Sequence, residues 1–264
     1  MSHQTRPAAQ TSNPAFNFNA LNRVASERAP ETVTIQGAAL KTMILLGILM
    51  ATAIGVMATY LPAMQGTALG APAIPEGLIL CLVGGCIGGF VMAMWTIFVP
   101  RHAPVTSLIY AVLEGLALGA ISTIMEVAFK GIALQAMCGT FAALAAILLL
   151  YGTGIIKVTE TFKAVVIGAT MSICLVYVVA MVMSMFGVRM PYLYEASPIG
   201  IGISVVICIV ATLNFALDFQ AIVDAKDAGA PRWYEWYLGF GLLLTIVWLY
   251  LEILRLLAKI RSNN

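Results

Sequence analysis

Charged residues are scarce in this sequence. Only 10% of its 264 residues are Asp, Glu, Lys or Arg, whereas soluble domains carry about 25%. The net charge of +2 is too small to indicate a nucleic-acid partner. With 61% hydrophobic residues and a mean hydropathy of +0.96, the composition indicates a multi-pass membrane protein whose main partner is the lipid bilayer.

The residues that build most enzyme sites are also scarce. His3 and His102 are the two histidines, so a zinc-binding HExxH helix is excluded. There is no G-x-S-x-G elbow, and a membrane aspartyl protease would need a second aspartate beside Asp218. We therefore expect no catalytic residues and no resident cofactor. The five cysteines all lie inside apolar runs, so we interpret them as small packing residues and not as disulfides or metal ligands. They are Cys81, Cys86, Cys138, Cys174 and Cys208.

Long apolar runs fill most of the chain and predict an all-α integral membrane protein. Backbone groups in lipid must hydrogen-bond within their own segment, and the runs lack the alternation of a barrel, so the spans are helices. Residues 1–38 are rich in Asn, Ala, Ser, Thr and Pro and predict a disordered polar tail. Residues 39–260 then form the transmembrane domain, with seven spans near 40–61, 77–99, 104–127, 131–152, 163–187, 198–224 and 234–258.

Glycines four residues apart occur in the second and third spans. Such pairs allow helix backbones to approach closely, and we expect tight helix packing here rather than ligand binding. The residues are Gly84, Gly85, Gly88 and Gly89 of "GGCIGG", and Gly115 and Gly119 of "EGLALG".

The distribution of Lys and Arg addresses orientation. With seven spans, nine of these residues lie on the side of the N-terminus and five on the other side. This bias predicts a cytoplasmic N-terminus. If the last segment instead re-entered, turning at Gly239-Phe-Gly241, the split would become twelve to two, and the sequence leaves both arrangements open.

Four carboxylates in or near the spans are candidates for function, because a charge at a helix centre costs about 2.5–3.5 kcal/mol on insertion scales. For Glu114, the sequence favours neither a structural nor a functional role over the other. Glu126 precedes Lys130 by four residues, which predicts an interfacial ion pair. Glu252 precedes Arg255 by three residues, and this spacing predicts an ion pair at a helix end.

Asp218, the fourth carboxylate, belongs to a stripe of small and polar residues at helical spacing. This stripe should face the bundle interior or a watery cavity. Asn214, one turn earlier, can share a hydrogen bond with Asp218. The competing interpretation is an interfacial aspartate wetted by solvent. The other members of the stripe are Ser204, Ala211 and Ala221.

Several segments together resemble the transmembrane Bax inhibitor motif family, in a bacterial branch. They are "SNPAF" (12–16), "YAVLEGLALGAIS" (110–122), "YGTGIIKVT" (151–159), "LDFQAI" (217–222) and "WLYLEILRLL" (248–257). The resemblance covers about residues 40–258 and keeps the family's order. It implies a seven-helix fold in which six helices surround a central C-terminal helix.

The resemblance also implies a proton-sensing carboxylate pair. Asp218-Phe-Gln220 matches the family's sixth-helix aspartate, and Arg101 matches a basic latch at the end of the second helix. "LYLE" selects Glu252 as the second carboxylate, but its 34-residue spacing from Asp218 departs from the family pattern. Glu114 is therefore the alternative partner. Asp218 would be a weak calcium site, supported by Asn214, Gln220 and water.

Two functions follow as hypotheses. The first, implied by the resemblance, is a pH-sensitive calcium leak in a bacterial inner membrane, with calcium or protons as ligands and calcium bound only transiently. The second is a non-conducting regulator of a membrane protease or stress response. It would act by contact with a membrane-protein partner through the "GGCIGG" face or the polar tail.

Overall fold

A computed structural model describes residues 31–65, 74–187 and 197–263. Within these ranges the chain forms seven long α-helices and no strand, so the predicted fold class is confirmed. A short 3₁₀ helix, Pro100–His102, joins the second of these helices to the third. The helices are α1 Ile35–Gln65, α2 Glu76–Phe98, α3 Ala103–Ala128, α4 Ile132–Gly152, α5 Glu160–Met185, α6 Pro198–Asp227 and α7 Tyr234–Ser262.

Local signals in the sequence set several of the helix ends. The side chain of Thr159 accepts a hydrogen bond from the amide of Phe162 at 3.2 Å and caps α5. Ser197 caps α6 in the same way, by accepting from the amide of Gly200 at 3.1 Å. Gly229, at φ 67°, takes the left-handed conformation that ends α6 and turns the chain towards α7.

All seven helices are long and apolar enough to cross a membrane, and large hydrophobic side chains are exposed along their outer faces. The described part of the chain is therefore that of a multi-pass membrane protein. α7 continues without a break through Gly239-Phe-Gly241. The re-entrant alternative for the last segment is wrong, because no turn interrupts this helix.

The C-terminal helix is the most deeply buried of the seven. It packs against α1, α3, α4 and α6, and side-chain hydrogen bonds connect it to α5. The other helix that joins several neighbours is α3, which packs closely on both α1 and α2. That six helices surround α7 stays a prediction, since α2 packs chiefly on α3.

The segment before α1 lies against the loop between α6 and α7. The amide of Val33 donates to the carbonyl of Ala230 at 2.8 Å, and the amide of Arg232 donates to the carbonyl of Glu31 at 3.0 Å. The side chains of Arg232 and Glu31 also form an ion pair. Residues 1–30 of the predicted tail lie outside the described residues, and α1 begins at Ile35, before the predicted start at residue 40.

Candidate functional site

The Asp218 carboxylate lies at the contact between α6 and α7 and is fully buried. Its Oδ2 accepts a hydrogen bond from the hydroxyl of Thr245 at 2.6 Å. The small residues on the same face of α6, Ala211 and Ala221, are buried as well and allow α7 to approach. Asp218 therefore faces the interior of the helix bundle and is not a wetted residue at the membrane surface.

The Thr245 hydroxyl has a second acceptor within reach. Its Oγ lies 3.5 Å from the carbonyl oxygen of Gly241, one turn earlier on α7. A hydroxyl carries one proton, so the shorter contact identifies Asp218 as its principal acceptor. If Asp218 were protonated, the carboxyl group could donate to Thr245, and Thr245 could then turn its own proton to Gly241. The hydrogen bond between Asp218 and Thr245 can thus persist whether Asp218 is charged or neutral, with donor and acceptor exchanged.

Two polar residues near Asp218 connect α6 to other helices. Asn214 donates to the Thr170 hydroxyl of α5 at 2.9 Å. Gln220 accepts from the Tyr151 hydroxyl of α4 at 3.0 Å and donates to Asp224 at 2.8 Å. These bonds fix α6 against α4 and α5 around the level of Asp218.

Glu252 forms a second buried polar cluster, between α7 and α5. Its Oε1 accepts from the Tyr177 hydroxyl at 2.7 Å, and both its carboxylate oxygens lie 3.2 Å from Arg255 Nη1. Arg255 also donates to the Tyr177 hydroxyl at 2.5 Å. The Glu252 side chain is only 2% exposed, whereas Arg255 is 36% exposed. The expected pair between Glu252 and Arg255 exists, but its carboxylate lies inside the bundle.

Lys259 forms the third polar contact along α7. Its buried ammonium group donates to the Ser204 hydroxyl at 2.8 Å and to the Gly200 carbonyl at 3.0 Å, both on α6. A buried ammonium needs such acceptors, because an unpaired charge in an apolar interior is costly.

These contacts follow one antiparallel register. From the Asp218–Thr245 pair to the Ser204–Lys259 pair, each helix advances by fourteen residues. Halfway between them, the same register places Ala211 opposite Glu252. Residues seven apart share a helix face, at about 10 Å per step. The α6–α7 seam, meaning this line of facing residues, therefore carries buried polar groups from Asp218 to Lys259.

The two carboxylates that the resemblance would pair are held apart. Asp218 is bonded at the level of Thr245, and Glu252 lies two turns, about 10 Å, further along α7. Glu114 also lies elsewhere, on the contact between α3 and α2: its Oε2 is 2.8 Å from the position that a Cβ on Gly89 would occupy. The described contacts bring neither glutamate together with Asp218.

Arg101, the predicted latch, lies in the short 3₁₀ helix between α2 and α3 and is exposed. It lines a shallow surface groove together with Trp95 and His102. Its role as a latch on Asp218 stays a prediction.

The paired glycines divide by face. A Cβ on Gly85 would lie 2.6 Å from the Leu113 carbonyl oxygen of α3, and one on Gly115 would lie 2.6 Å from the Leu49 carbonyl oxygen of α1. Gly119 makes a similar approach to α1, and Gly88 and Gly89 lie against side chains of α3. Gly84 does not belong to this packing, because no atom lies within 4 Å of its Cβ position. It lies on the outward face of α2, since neighbouring Gly85 already faces α3.

Comparison with known proteins gives one result that bears on identity. The family model described as Bax inhibitor 1 like matches residues 13–262. This chain belongs to the Bax inhibitor 1 like family. The match covers nearly the whole chain and confirms the family that the sequence resembles, while the bacterial branch stays a prediction. No curated protein matches significantly. No solved structure does so either.

In this family member, no group of three or more His, Cys, Asp or Glu residues is positioned to hold a metal ion within the described ranges. The Asp218 carboxylate accepts a hydrogen bond from the Thr245 hydroxyl. Tight calcium sites need six to eight oxygens. A weak, transient calcium contact at Asp218 stays a prediction.

Several residues that shape this site carry no strong signal in the sequence. Tyr177 and Thr245 look like ordinary members of apolar helices, although the seven-residue spacing of Thr245, Glu252 and Lys259 would have grouped them on one face. Glu126 does not pair with Lys130 as expected. It accepts from the amides of Gly131 and Ala133 instead and caps α4, where a carboxylate is favoured by the helix dipole.

Glu235, near the start of α7, is a further buried carboxylate whose role the sequence did not reveal. It is 1% exposed, and its Oε1 accepts from both the amide and the hydroxyl of Thr34, at 3.0 and 2.9 Å. The carboxylate therefore fastens the segment before α1 to the α6–α7 hairpin. A Cβ at Gly37 would collide with this carboxylate, so any larger residue there would require the Glu235 side chain to shift.

Proposed function

We propose that this Bax inhibitor 1 like protein is a pH-sensitive cation leak that passes calcium, with Asp218 as its proton sensor and a weak cation contact. The observation that carries the proposal is the fully buried Asp218 carboxylate, hydrogen-bonded by Thr245 across the α6–α7 contact. A buried carboxylate in a membrane protein is costly to insert, so its presence between two helices favours a functional role over a structural one.

The α6–α7 seam supports a path for ions. Its polar groups recur at about 10 Å intervals, at Asp218, Glu252 and Lys259. Conduction favours several weak contacts over one tight site, because an ion must leave each site as readily as it enters. The Glu252–Arg255–Tyr177 cluster would close the seam halfway between Asp218 and Lys259.

Protonation is the event that would change this seam. Charged Asp218 accepts from Thr245, whereas neutral Asp218 has a proton to donate and lacks the charge that attracts a cation. We expect the flux to depend on pH for this reason. Arg101 would act as the latch that holds the charged form, and Glu114, packed on α2, would take no direct part.

The orientation that accompanies this proposal is a cytoplasmic N-terminus in a bacterial inner membrane, based on the nine-to-five distribution of Lys and Arg. Asp218 would then lie in the cytoplasmic half, six residues before Asp224 near the end of α6. The sensor would respond to cytoplasmic pH.

The test is calcium flux from liposomes that contain the purified full chain, measured across a range of pH. We expect flux above that of empty liposomes and a pH profile that Asp218→Asn abolishes. Asp227→Asn is the matched control, since Asp227 is an exposed carboxylate on the same helix. A wild-type pH profile in Asp218→Asn would remove Asp218 as the sensor.

Absence of flux at every pH would favour the alternative, a regulator that acts by contact with a membrane-protein partner. Gly85 and Gly89 face α3, so the "GGCIGG" segment could offer a partner only its Gly84 side.

A further inference from the structure

An apolar groove runs along the outer surface of the bundle, between α1 and α4. It has a volume of about 260 Å³, with α3 and α7 as its floor. Ile54 of α1 and Leu134 of α4 form its rims and are 58% and 60% exposed. The groove is therefore open sideways, towards the region that the bilayer occupies around a multi-pass protein.

The chemistry of the groove suits an aliphatic chain. Its lining is almost entirely hydrocarbon, and the few hydroxyl groups are already bonded within the protein. Ser122 and Tyr250 bond to each other at 2.7 Å, and Thr140 donates to the Ala136 carbonyl at 2.8 Å. No lining hydroxyl is thus left in need of a polar ligand. An empty groove would forfeit dispersion contacts that an acyl chain restores.

One end of the groove has cations beside it. Lys130 is exposed in the turn one helical turn before Leu134. The Arg261 guanidinium is held at the same turn, donating to the Lys130 carbonyl at 2.7 Å and to Gln135 at 2.8 Å. The guanidinium group has five N–H donors, so it can bond a further oxygen. Nearby Glu126 accepts hydrogen bonds from the amides that begin α4 and keeps its one negative charge. Two cations against one anion therefore leave this mouth with a net positive charge.

We propose that the groove holds one acyl chain of an anionic phospholipid, with the lipid phosphate at Lys130 and Arg261. The apolar lining binds the chain, and the two cations select the headgroup. Neither feature depends on Asp218 or on conduction, so the site stands independently of the proposed function.

The test is native mass spectrometry of the purified full chain with phosphatidylglycerol and phosphatidylcholine of identical acyl chains. We expect the wild type to retain phosphatidylglycerol in preference. Lys130→Gln should reduce that preference about fivefold, the usual effect of one basic residue at an anionic membrane surface. Lys157→Gln is the matched control, an exposed lysine just beyond the opposite end of α4. Equal retention of both lipids by the wild type would overturn the assignment of the headgroup.

A second pair of variants tests the groove itself. Leu134→Trp places a large ring at the rim and should lower retention of both lipids several-fold. Leu149→Trp makes the same change on α4 at a position that is 68% exposed and outside the groove, and should leave retention unchanged. Since both positions are exposed, both variants should fold, which their melting temperatures would verify. Equal retention by the two variants would show that the lipid does not occupy this groove.

Discussion

The close contact between α2 and α3 makes a sharp prediction about two adjacent glycines. Gly85 and Gly84 stand on the same helix, α2, and differ in the face they occupy. A Cβ at Gly85 would lie 2.6 Å from the Leu113 carbonyl oxygen and 2.7 Å from the Ala117 amide nitrogen, whereas a Cβ at Gly84 would meet nothing within 4 Å. Both obstructing atoms belong to the α3 backbone, so neither can rotate away.

The size of the effect follows from this geometry. Carbon–oxygen contacts between helices are normally about 3.3–3.6 Å, so Gly85→Ala must separate α2 from α3 by roughly 0.7 Å or more. Overpacking of this kind costs about 1–3 kcal/mol. Replacing a helical glycine by alanine also stabilises by about 0.5–1 kcal/mol. That gain is common to both variants. The difference in free energy of unfolding between Gly85→Ala and Gly84→Ala therefore measures the cost of the clash alone.

The measurement is thermal unfolding of both variants and the wild type in one detergent. A difference of 1–3 kcal/mol corresponds to about 2–12 °C in melting temperature for a chain of this size. We expect Gly84→Ala to melt at or above the wild-type temperature and Gly85→Ala to melt below Gly84→Ala by that amount. Equal melting temperatures for the two variants would refute the close approach of α2 and α3.

Three further predictions concern other contacts. Tyr177→Phe removes a hydroxyl that bonds to two charged groups of α7 and should destabilise the bundle by about 1–3 kcal/mol, measured by detergent unfolding. Thr34→Val removes the hydroxyl that donates to buried Glu235 and should cost about 0.5–1.5 kcal/mol in the same assay, while hydrogen exchange increases in the segment before α1. In a cysteine-free background, a cysteine at Ser262 should react with an impermeant maleimide in intact cells, and one at Ser12 should not; the reverse pattern would invert the orientation.

The helices could be predicted from the sequence because hydropathy and length alone decide whether a segment crosses a bilayer. Their ends could not be placed as well. α1 begins at Ile35 because Thr34 and Glu235 bond across more than two hundred residues, a tertiary contact that no local pattern reports. α7 extends to Ser262 because Lys259 and Arg261 find acceptors within the protein.

The candidate site was predictable only in part. The stripe of small residues around Asp218 indicated correctly that this aspartate faces the interior. Its actual neighbour, Thr245, was missed because a threonine in an apolar helix usually bonds to its own backbone, as Thr140 does here. The register between α6 and α7, which decides what faces Asp218, is a property of packing and cannot be read from either helix alone.

The five basic residues on the side opposite the N-terminus count against a cytoplasmic N-terminus. The three at the end of α7 have structural roles: Arg255 bonds to Glu252 and Tyr177, Lys259 bonds to carbonyl and hydroxyl oxygens of α6, and Arg261 bonds to the turn before α4. The positive-inside rule concerns charges free in short loops during insertion. Cations that have hydrogen-bond partners in the folded protein have a separate reason to be present, so they weigh less against the proposed orientation than a count of charges implies.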